Sequence, residues 1–388
     1  MDINQEHPIE MNNLHISLTN FSSASRVLKQ IHSINSLDKF DEIHVAALHD
    51  STVLHDELID DFIHVKRFEL STRGWSKGLF VQSIKYIEFV VRVLFYYRKR
   101  KIKMVNIHKL SILPLGYLFK LFFGVILIYD THELETEING LSGVRKKISK
   151  WMERKLIYKC DHIFVVSENI ADWYQKTYSI RRPTVVLNAP RIYSVKENDY
   201  FRERFNINKD QIIILYQGSL DSGRGIEIIL KTFIARKEKN AVIVFMGYGT
   251  WEESIKEAAS RSDLIFFHEA VPPAVLLNYT SSADIGISFI QNTCLSYYYC
   301  MPNKMFEYAM VGKPVIVSNM IEMRQFVEKH NMGFVVQNES VEDLNSLIDK
   351  LSKENLDTYK QNARSAAESN AWEKQEEKML TDYKFILK

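Results

Sequence analysis

The chain has 388 residues, of which 46% are apolar and 25% are charged, and its formal net charge is +2. This length exceeds one typical hydrophobic core, so we expect two domains of ordinary globular composition. The near balance of charge gives no reason to expect a nucleic-acid partner. Three cysteines without a C-x-x-C pair argue against a disulfide framework and a thiolate zinc site.

Two segments bear on membranes and targeting. Met1–His7 contains no basic stretch leading into an apolar one, so it does not resemble a secretory signal, and a reduced cytosolic setting is expected. Residues Ile112 to Tyr129 approach the length of a membrane span, but a proline, two glycines and a lysine interrupt them. They predict a buried helix, a turn at Gly124 and a buried strand.

Strand and helix patterns alternate through the first half of the chain. The predicted strands are Leu14–Leu18, Ile43–Leu48, Met104–Ile107, Val125–Tyr129, His162–Val166 and Thr184–Leu187. Helical patterns between them include Ser25–Ile34, Phe80–Arg98 and Val144–Lys159. Alternation of this kind predicts βαβ units and a parallel sheet covered by helices.

A polar interval, residues 188–209, separates this series from a second one. The predicted strands of the second series are Ile212–Tyr216, Ala241–Met246, Leu264–Phe267, Ile285–Phe289, Pro314–Ser318 and Phe334–Val336. The fold class is therefore α/β, with two doubly wound Rossmann-like domains facing across a cleft. Ligands of such sheets bind beyond the carboxyl ends of the strands.

Glycine-rich turns follow two strands of the second series. Gly218-Ser-Leu-Asp-Ser-Gly-Arg-Gly225 lies between a strand and a helix, where backbone N–H groups and Arg224 suit a phosphate. The spacing matches neither G-x-G-x-x-G nor the P-loop, which disfavours a nicotinamide dehydrogenase and a P-loop enzyme. Met246-Gly-Tyr-Gly249 is a second such turn. Either turn is also compatible with a flexible strand–helix connection.

The most specific motif begins with Met301-Pro-Asn-Lys-Met-Phe-Glu307. Pro302 is suited to the start of a helix and Gly312 to its end. A diphosphate would be stabilised at this positive helix terminus, and Glu307, one turn further on, could accept two ribose hydroxyl bonds. The alternative is a solvated pair formed by Lys304 and Glu307 on the helix surface.

These blocks, in this order, resemble the nucleotide-sugar half of family 4 glycosyltransferases with the GT-B fold, and are most similar to the bacterial capsule and O-antigen branch. The segment Tyr279-x-x-x-x-Asp284-Ile-Gly-Ile resembles the family strand before the donor loop, and Trp372-Glu373 begins a helix like the one that crosses back. The resemblance implies an acceptor-side domain at 1–190, a nucleotide-sugar domain at 191–365 and a crossing helix at 366–388.

The resemblance also implies a donor site. Its residues would be Gly218, Ser219, Arg224, Gly225, Gly247, Gly249, Pro302, Asn303, Lys304 and Glu307. Arg224 and Lys304 would hold the diphosphate and act in catalysis, and Glu307 would hold the ribose. Two departures leave the donor sugar open: many relatives have arginine at the position of Ser219 and a carboxylate at the position of Tyr299. The Tyr297–Tyr299 run could line the sugar pocket or serve packing.

On the acceptor side, the resemblance points to Tyr129-Asp-Thr-His-Glu133 and to the loop Asn20–Ser25. His132 would lie beside the donor sugar and take part in catalysis, unless it is a structural loop histidine. The absence of H-E-x-x-H disfavours a zinc protease. Asn20, Ser22, Ser23 and Glu133 are the candidate acceptor-side residues, although Ser22 or Ser23 could simply cap the next helix.

The expected function is a retaining glycosyltransferase that moves a sugar from a nucleotide-sugar, by default a UDP-sugar, to a glycan or polyprenyl-linked acceptor in surface polysaccharide synthesis. With no Asp-x-Asp in the chain, we expect no metal and no cofactor requirement. The alternatives are a nucleotide-sugar epimerase of the same fold and a non-catalytic sugar-nucleotide-binding subunit.

Two basic clusters, Arg98–Lys103 and Arg145–Lys159, lie in the acceptor half. They are compatible with solvated helix faces or with weak contact to an anionic membrane surface. We expect a cytoplasmic protein. Contact with an anionic membrane would place it on the inner face of the plasma membrane.

Overall fold

The computed structural model describes residues 11–22, 24–76 and 78–388, and it contains two β-sheets in succession along the chain. Both are built mainly from parallel strands joined by helices, which confirms the predicted α/β class with two doubly wound units. The segment Met1–His7 and Ser23 lie outside the described residues.

The first sheet has eight strands in the order β3-β4-β2-β1-β5-β6-β7-β8. They are β1 Asn12–Ile16, β2 Glu42–Leu48, β3 Asp56–Ile59, β4 Ile63–Phe68, β5 Ile102–Ile107, β6 Ile126–Asp130, β7 His162–Val165 and β8 Thr184–Val185. Only the β3–β4 pair is antiparallel among them. The sequence patterns missed β3 and β4. Strand β3 is an exposed edge strand without a buried apolar face, whereas β4 has a short alternating pattern of buried Ile63 and Val65 that the sequence reading overlooked.

Five α-helices connect these strands. They are α1 Ser25–Asn35, α2 Leu79–Tyr97, α3 Leu113–Phe123, α4 Gly143–Leu156 and α5 Glu168–Tyr178, with 3₁₀ turns at Leu110–Ile112 and Ile157–Lys159. Gly124 ends α3 with a left-handed φ of 65°, followed directly by β6, as the interrupted apolar run predicted. Within the described residues, no helix has both the length and the apolar character needed to cross a bilayer.

The second sheet has six strands, all parallel, in the order β11-β10-β9-β12-β13-β14. They are β9 Ile212–Ser219, β10 Ala241–Tyr248, β11 Ile265–Glu269, β12 Ile285–Ser288, β13 Val315–Ser318 and β14 Gly333–Val336. The helices of this half are α6 Tyr200–Phe205, α7 Ile226–Ala235, α8 Glu252–Ala259, α9 Leu276–Thr280, α10 Leu295–Tyr298, α11 Asn303–Met310, α12 Ile321–His330, α13 Val341–Asp349, α14 Lys353–Asn370 and α15 Trp372–Ile386.

The last helix, α15, packs against α1 on the first sheet. Trp372 is fully buried there, and its indole N–H donates to the Ser33 hydroxyl over 3.1 Å. Further along α15, the Tyr383 hydroxyl donates to Asn106 over 2.6 Å. The exact domain boundaries at 190 and 365 stay a prediction.

Direct contacts join the two halves beside the gap between them. The Ser167 hydroxyl donates to the carbonyl of Tyr299 over 2.8 Å. Ser296 accepts from the backbone N–H of Leu134 over 3.2 Å and donates its own N–H to the Glu137 carbonyl over 3.2 Å. These bonds hold the loop after β6 and the end of β7 close to the segment before α11.

Candidate functional site

A cavity of about 520 Å³ lies between the two halves. Arg26, His132 and Glu133 line it from the first half. From the second half, the ends of β9 and β10, Arg224 and the start of α11 contribute to its wall. The cavity therefore lies at the carboxyl ends of the strands, where doubly wound sheets bind ligands.

Glycines bring the ends of β9 and β10 close together. Gly218 has a φ of 111°, a conformation that side-chain-bearing residues rarely adopt. A Cβ on Gly247 would lie 1.9 Å from the Gly218 carbonyl oxygen. Both glycines line the cavity, whereas Gly225 and Gly249 are not among its lining residues. A side chain is nevertheless excluded at Gly225 and Gly249, because an added Cβ at either position would lie 2.6 Å from a neighbouring backbone oxygen.

Helix α11 points its N-terminus at the cavity. Pro302 precedes the helix in an extended conformation, and Asn303 is its first residue. The ring of Tyr308 fixes the helix against the sheet, since a Cβ at Gly286 would lie 2.2 Å from it. The Tyr308 hydroxyl also accepts the backbone N–H of Gln217 over 3.1 Å. A rigid helix terminus with free N–H groups is a ready site for an anion.

Two cations face the cavity without forming a salt bridge to any described residue. Lys304 Nζ lies 3.8 Å from the centre of the Tyr216 ring, and the Arg224 guanidinium lies 5.0 Å from that of Tyr297. Across residues 11–22, 24–76 and 78–388, neither cation forms an ion pair with a carboxylate. Burial, together with the charge of Arg224, lowers the pKa of Lys304 to about 7. This arrangement favours a bound anion, which would relieve both effects.

Glu307 lies one turn beyond Lys304 and also lines the cavity. One of its carboxylate oxygens accepts the side-chain N–H of Gln217 over 2.6 Å. Gln217 is oriented by Thr280, whose hydroxyl donates to the amide oxygen over 2.8 Å. Burial raises the pKa of Glu307, against the opposing effects of Gln217 and Lys304. The second carboxylate oxygen stays available to accept hydroxyl groups.

On the opposite wall, the carboxylate of Asp130, at the end of β6, lies within hydrogen-bonding distance of four side chains. Arg26 donates to both of its oxygens, at 2.8 and 3.3 Å, and Gln30 donates over 2.7 Å. His132 Nε2 lies 2.9 Å away and His108 Nδ1 lies 3.4 Å away. Burial alone would raise the pKa of Asp130, but Arg26 and His132 hold it well below its usual range.

The Asp130 carboxylate fixes the state of His132. The ionised carboxylate can only accept a hydrogen bond, so the facing Nε2 of His132 must carry the proton. In this tautomer Nδ1 is a hydrogen-bond acceptor. Burial lowers the pKa of His132 despite the neighbouring carboxylate, so the imidazole is neutral at pH 7. His108, Asp130 and His132 could geometrically surround a cation. However, Arg26 already places a positive charge on the same carboxylate, which disfavours a metal ion there.

The acceptor-side predictions divide in two. Glu133 lines the cavity, but Asn20 and Ser22 do not: Asn20 donates to Asp50 over 2.9 Å, and the Ser22 hydroxyl donates to Asn20 over 2.7 Å. Ser22 does not cap α1 either, because the N-cap residue is Ala24 and no side chain caps it. Ser23 lies outside the described residues.

Several lining residues had no place in the sequence-based site. Arg26 and Asn188 enter from the first half, and Gln217 enters from the second. Gln217 could have been predicted from the sequence, because it is a polar residue directly before Gly218 at the end of a predicted strand. Of the tyrosine run, only Tyr297 lines the cavity. The Ser219 hydroxyl, at the position of the departure from the family pattern, donates to Asp221.

Both halves of the chain match protein-family models. Residues 197–371 match the model described as glycosyl transferases group 1, and residues 23–189 match glycosyltransferase family 4. No curated protein matches the chain by sequence.

Solved structures of similar fold cover nearly all of the chain. Sucrose-phosphate synthase from Thermosynechococcus elongatus has a TM-score of 0.81 at 15% identity, over 97% of this chain and 99% of that one. Anabaena HepE, solved with UDP and glucose, has a TM-score of 0.74 at 13% identity, over 96% and 99%. A glycosyltransferase from Rickettsia africae has a TM-score of 0.71 at 16% identity, over 98% and 99%.

At these identities the structural likeness shows the fold, which is the two-sheet GT-B arrangement. The two family models, taken together, run through both halves and show the enzyme class. The chain therefore belongs to glycosyltransferase family 4 and has the GT-B fold of that family.

Proposed function

We propose that this glycosyltransferase moves a sugar from a UDP-sugar to a glycan or polyprenyl-linked acceptor, with retention of anomeric configuration, in surface polysaccharide synthesis. One observation carries the donor assignment. Beside a helix N-terminus, Arg224 and Lys304 form no salt bridge within the described part of the chain, and Glu307 lies one turn away with one carboxylate oxygen available as an acceptor. Cations at a helix N-terminus complement a diphosphate, and a carboxylate one turn away complements the hydroxyls of a ribose. HepE, of similar fold, was solved with UDP.

In the proposed reaction, the bond between the anomeric carbon and the diphosphate breaks, and the diphosphate leaves with the electron pair. Arg224, Lys304 and the N-terminus of α11 stabilise this growing negative charge, a preorganised contribution that often dominates catalysis. The acceptor hydroxyl bonds the anomeric carbon from the face that the diphosphate leaves. Its proton passes to the departing phosphate oxygen, which lies on that same face.

His132 faces this reaction from the first half. Its neutral ring, held by Asp130 at 2.9 Å, offers Nδ1 as an acceptor for a hydroxyl of the transferred sugar or of the acceptor. Gly218 and Gly247 would allow close backbone contact with the nucleotide, and Pro302 would set the start of α11, where the N–H of Asn303 would be offered to the diphosphate. Ser219, tied to Asp221, takes no direct charge role in this scheme.

A thermal-shift panel of nucleotide sugars tests the donor site. A ligand present at a hundred times its Kd stabilises the protein by about 2.7 kcal/mol. We expect UDP and a UDP-sugar to raise Tm, and Arg224→Ala with Glu307→Ala to abolish the shift. An unchanged shift in that double variant would contradict the assignment. With no Asp-x-Asp in the chain, transfer should also persist in EDTA.

A non-catalytic sugar-nucleotide-binding subunit is the second candidate. It is favoured by Tyr299, which stands where relatives carry a carboxylate and is not among the cavity-lining residues. UDP binding without transfer to any extracted lipid acceptor would favour it. An epimerase of the same fold would instead convert its sugar nucleotide in an assay without acceptor.

A further inference from the structure

Helices α2, α3 and α4 cover one face of the first sheet. The buried side chains of α2 and α3, such as Phe89 and Phe119, belong to one core cluster. Those of α1 and α15, such as Ile31 and Trp372, belong to another, on the opposite face. Right-handed crossovers place α2, α3 and α4 on the same side, because all three connect strands in the same direction along the sheet.

The outer surface of these three helices is unusually apolar. Of the twenty large apolar side chains that are exposed among the described residues, eleven lie here. They are Phe80, Ile87, Val91 and Phe95 of α2, Leu121, Phe122 and Phe123 at the end of α3, Val144, Ile148 and Trp151 of α4, and Tyr158 just after it. We call this set the three-helix face.

The spacing shows that the exposure is not scattered. On α2 the intervals are seven, four and four residues, and on α4 they are four and three, so each helix carries a continuous outward stripe. Trp151 is 65% exposed and Phe80 is 79% exposed. Contiguous exposed apolar surface of this kind marks an interaction site, since single scattered apolar residues need no partner.

The charge around the stripes is one-sided. Helix α4 carries six cations, of which Lys146 and Lys150 pair with Glu137. The carboxylates of the three helices are Glu88 and Glu153; Glu153 is buried, and Glu88 is bonded to Thr72 and Arg92. The face therefore presents lysines, arginines and apolar groups to solvent, with no freely exposed carboxylate on its described residues.

We propose that the three-helix face docks on an anionic lipid bilayer, with the stripes of α2 and α4 entering the interface between headgroups and acyl chains. Cations beside apolar and aromatic side chains are the complement of that interface. A second copy of the chain is a poor occupant, because two such faces would bring like charges together. The proposal rests on the proposed function, in which a polyprenyl-linked acceptor would lie in that bilayer.

Vesicle flotation of the full chain, without donor or acceptor, tests the docking. We expect most of the protein to float with vesicles containing phosphatidylcholine and 30% phosphatidylglycerol at low salt. Partitioning should fall at least tenfold on pure phosphatidylcholine. Equal binding to both vesicle types, or no binding to either, would overturn the proposal.

Two variants separate the apolar and cationic contributions. Ile148→Ser with Trp151→Ser, and separately Arg145→Glu with Lys147→Glu, should each lower partitioning at least tenfold. The matched controls lie on α7 of the other half, where Ile234 and Lys231 are also exposed. Ile234→Ser and Lys231→Glu should leave it unchanged. A monomer–dimer equilibrium that the Ile148→Ser and Trp151→Ser pair abolishes would overturn bilayer docking in favour of self-association.

The UDP thermal shift of the same variants keeps this proposal distinct from the donor site. Vesicle retention without a UDP shift supports the docking surface and contradicts the donor assignment. A UDP shift without vesicle retention overturns the docking surface alone.

Discussion

The two walls of the cavity differ in whether their charged side chains form ion pairs. In the first half, Asp130 is surrounded by Arg26, Gln30 and two histidines, so this carboxylate and the Arg26 guanidinium are paired with each other. In the second half, Arg224 and Lys304 face the cavity and share no carboxylate. A buried charge that is paired belongs to the scaffold, whereas an unpaired one indicates a missing ligand. The charges of the first wall thus orient His132, whereas those of the second wall are arranged to bind an anion.

The strongest test of this contrast is Asp130→Asn. Removing the carboxylate leaves Arg26 buried without its counter-charge, and breaking a buried pair costs about 3 to 5 kcal/mol of unfolding free energy. Urea unfolding monitored by circular dichroism should show that loss. His132→Ala, the control, removes only the ring on the cavity side and should leave stability within about 1 kcal/mol. Equal stability of both variants would place Asp130 outside the scaffold.

Arg224→Ala should behave in the opposite manner. The initial rate of UDP release should fall on the order of 10²-fold or more, as for loss of one preorganised charge contact. The Tm without ligand should stay unchanged or rise, because the variant relieves the repulsion with Lys304. Lys231→Ala on α7 is the matched control. A stability loss comparable with that of Asp130→Asn would show that Arg224 is a structural cation after all.

Gln217→Ala sharpens the description of the second wall. Without the amide, Glu307 loses the hydrogen bond at 2.6 Å that fixes its rotamer. A hydrogen bond to a charged group contributes about 1.5 kcal/mol, so we expect roughly a tenfold rise in the KM for the donor with a smaller change in kcat. Thr280→Val, which only frees the amide, should give a weaker form of the same effect. A loss confined to kcat would contradict this positioning role.

The smallest effect concerns pH. Because burial and Arg224 lower the pKa of Lys304 to about 7, this cation is present below that pH and lost above it. UDP affinity, measured by calorimetry, should therefore fall about fivefold between pH 7 and pH 8 if the protonated form alone binds. Lys304→Arg, which stays charged, should remove most of the dependence. The same slope in that variant would assign the titration to another group.

Much of the second wall could be predicted from the sequence, because its parts are local. The glycine turn after β9 and the segment Pro302–Glu307 each carry their chemistry within a few residues. On the first wall, the local segment after β6 predicted His132 and Glu133, but the side chains packed behind them could not be predicted in this way. Arg26, His108 and Asp130 come from a helix and two strand ends, and only the sheet order brings them together. Strand β3 was also missed, since an exposed edge strand has no apolar periodicity.

The placement of α15 constrains how the cavity can open. The chain passes from the first half to the second after β8 and returns before α15. At the return, the backbone N–H of Trp372 donates to the carbonyl of Pro190 over 2.9 Å, so both passages run side by side. Two adjacent covalent connections act as a single axis. We therefore expect the halves to move relative to each other mainly by rotation about that edge, which would widen the opposite rim for substrate exchange.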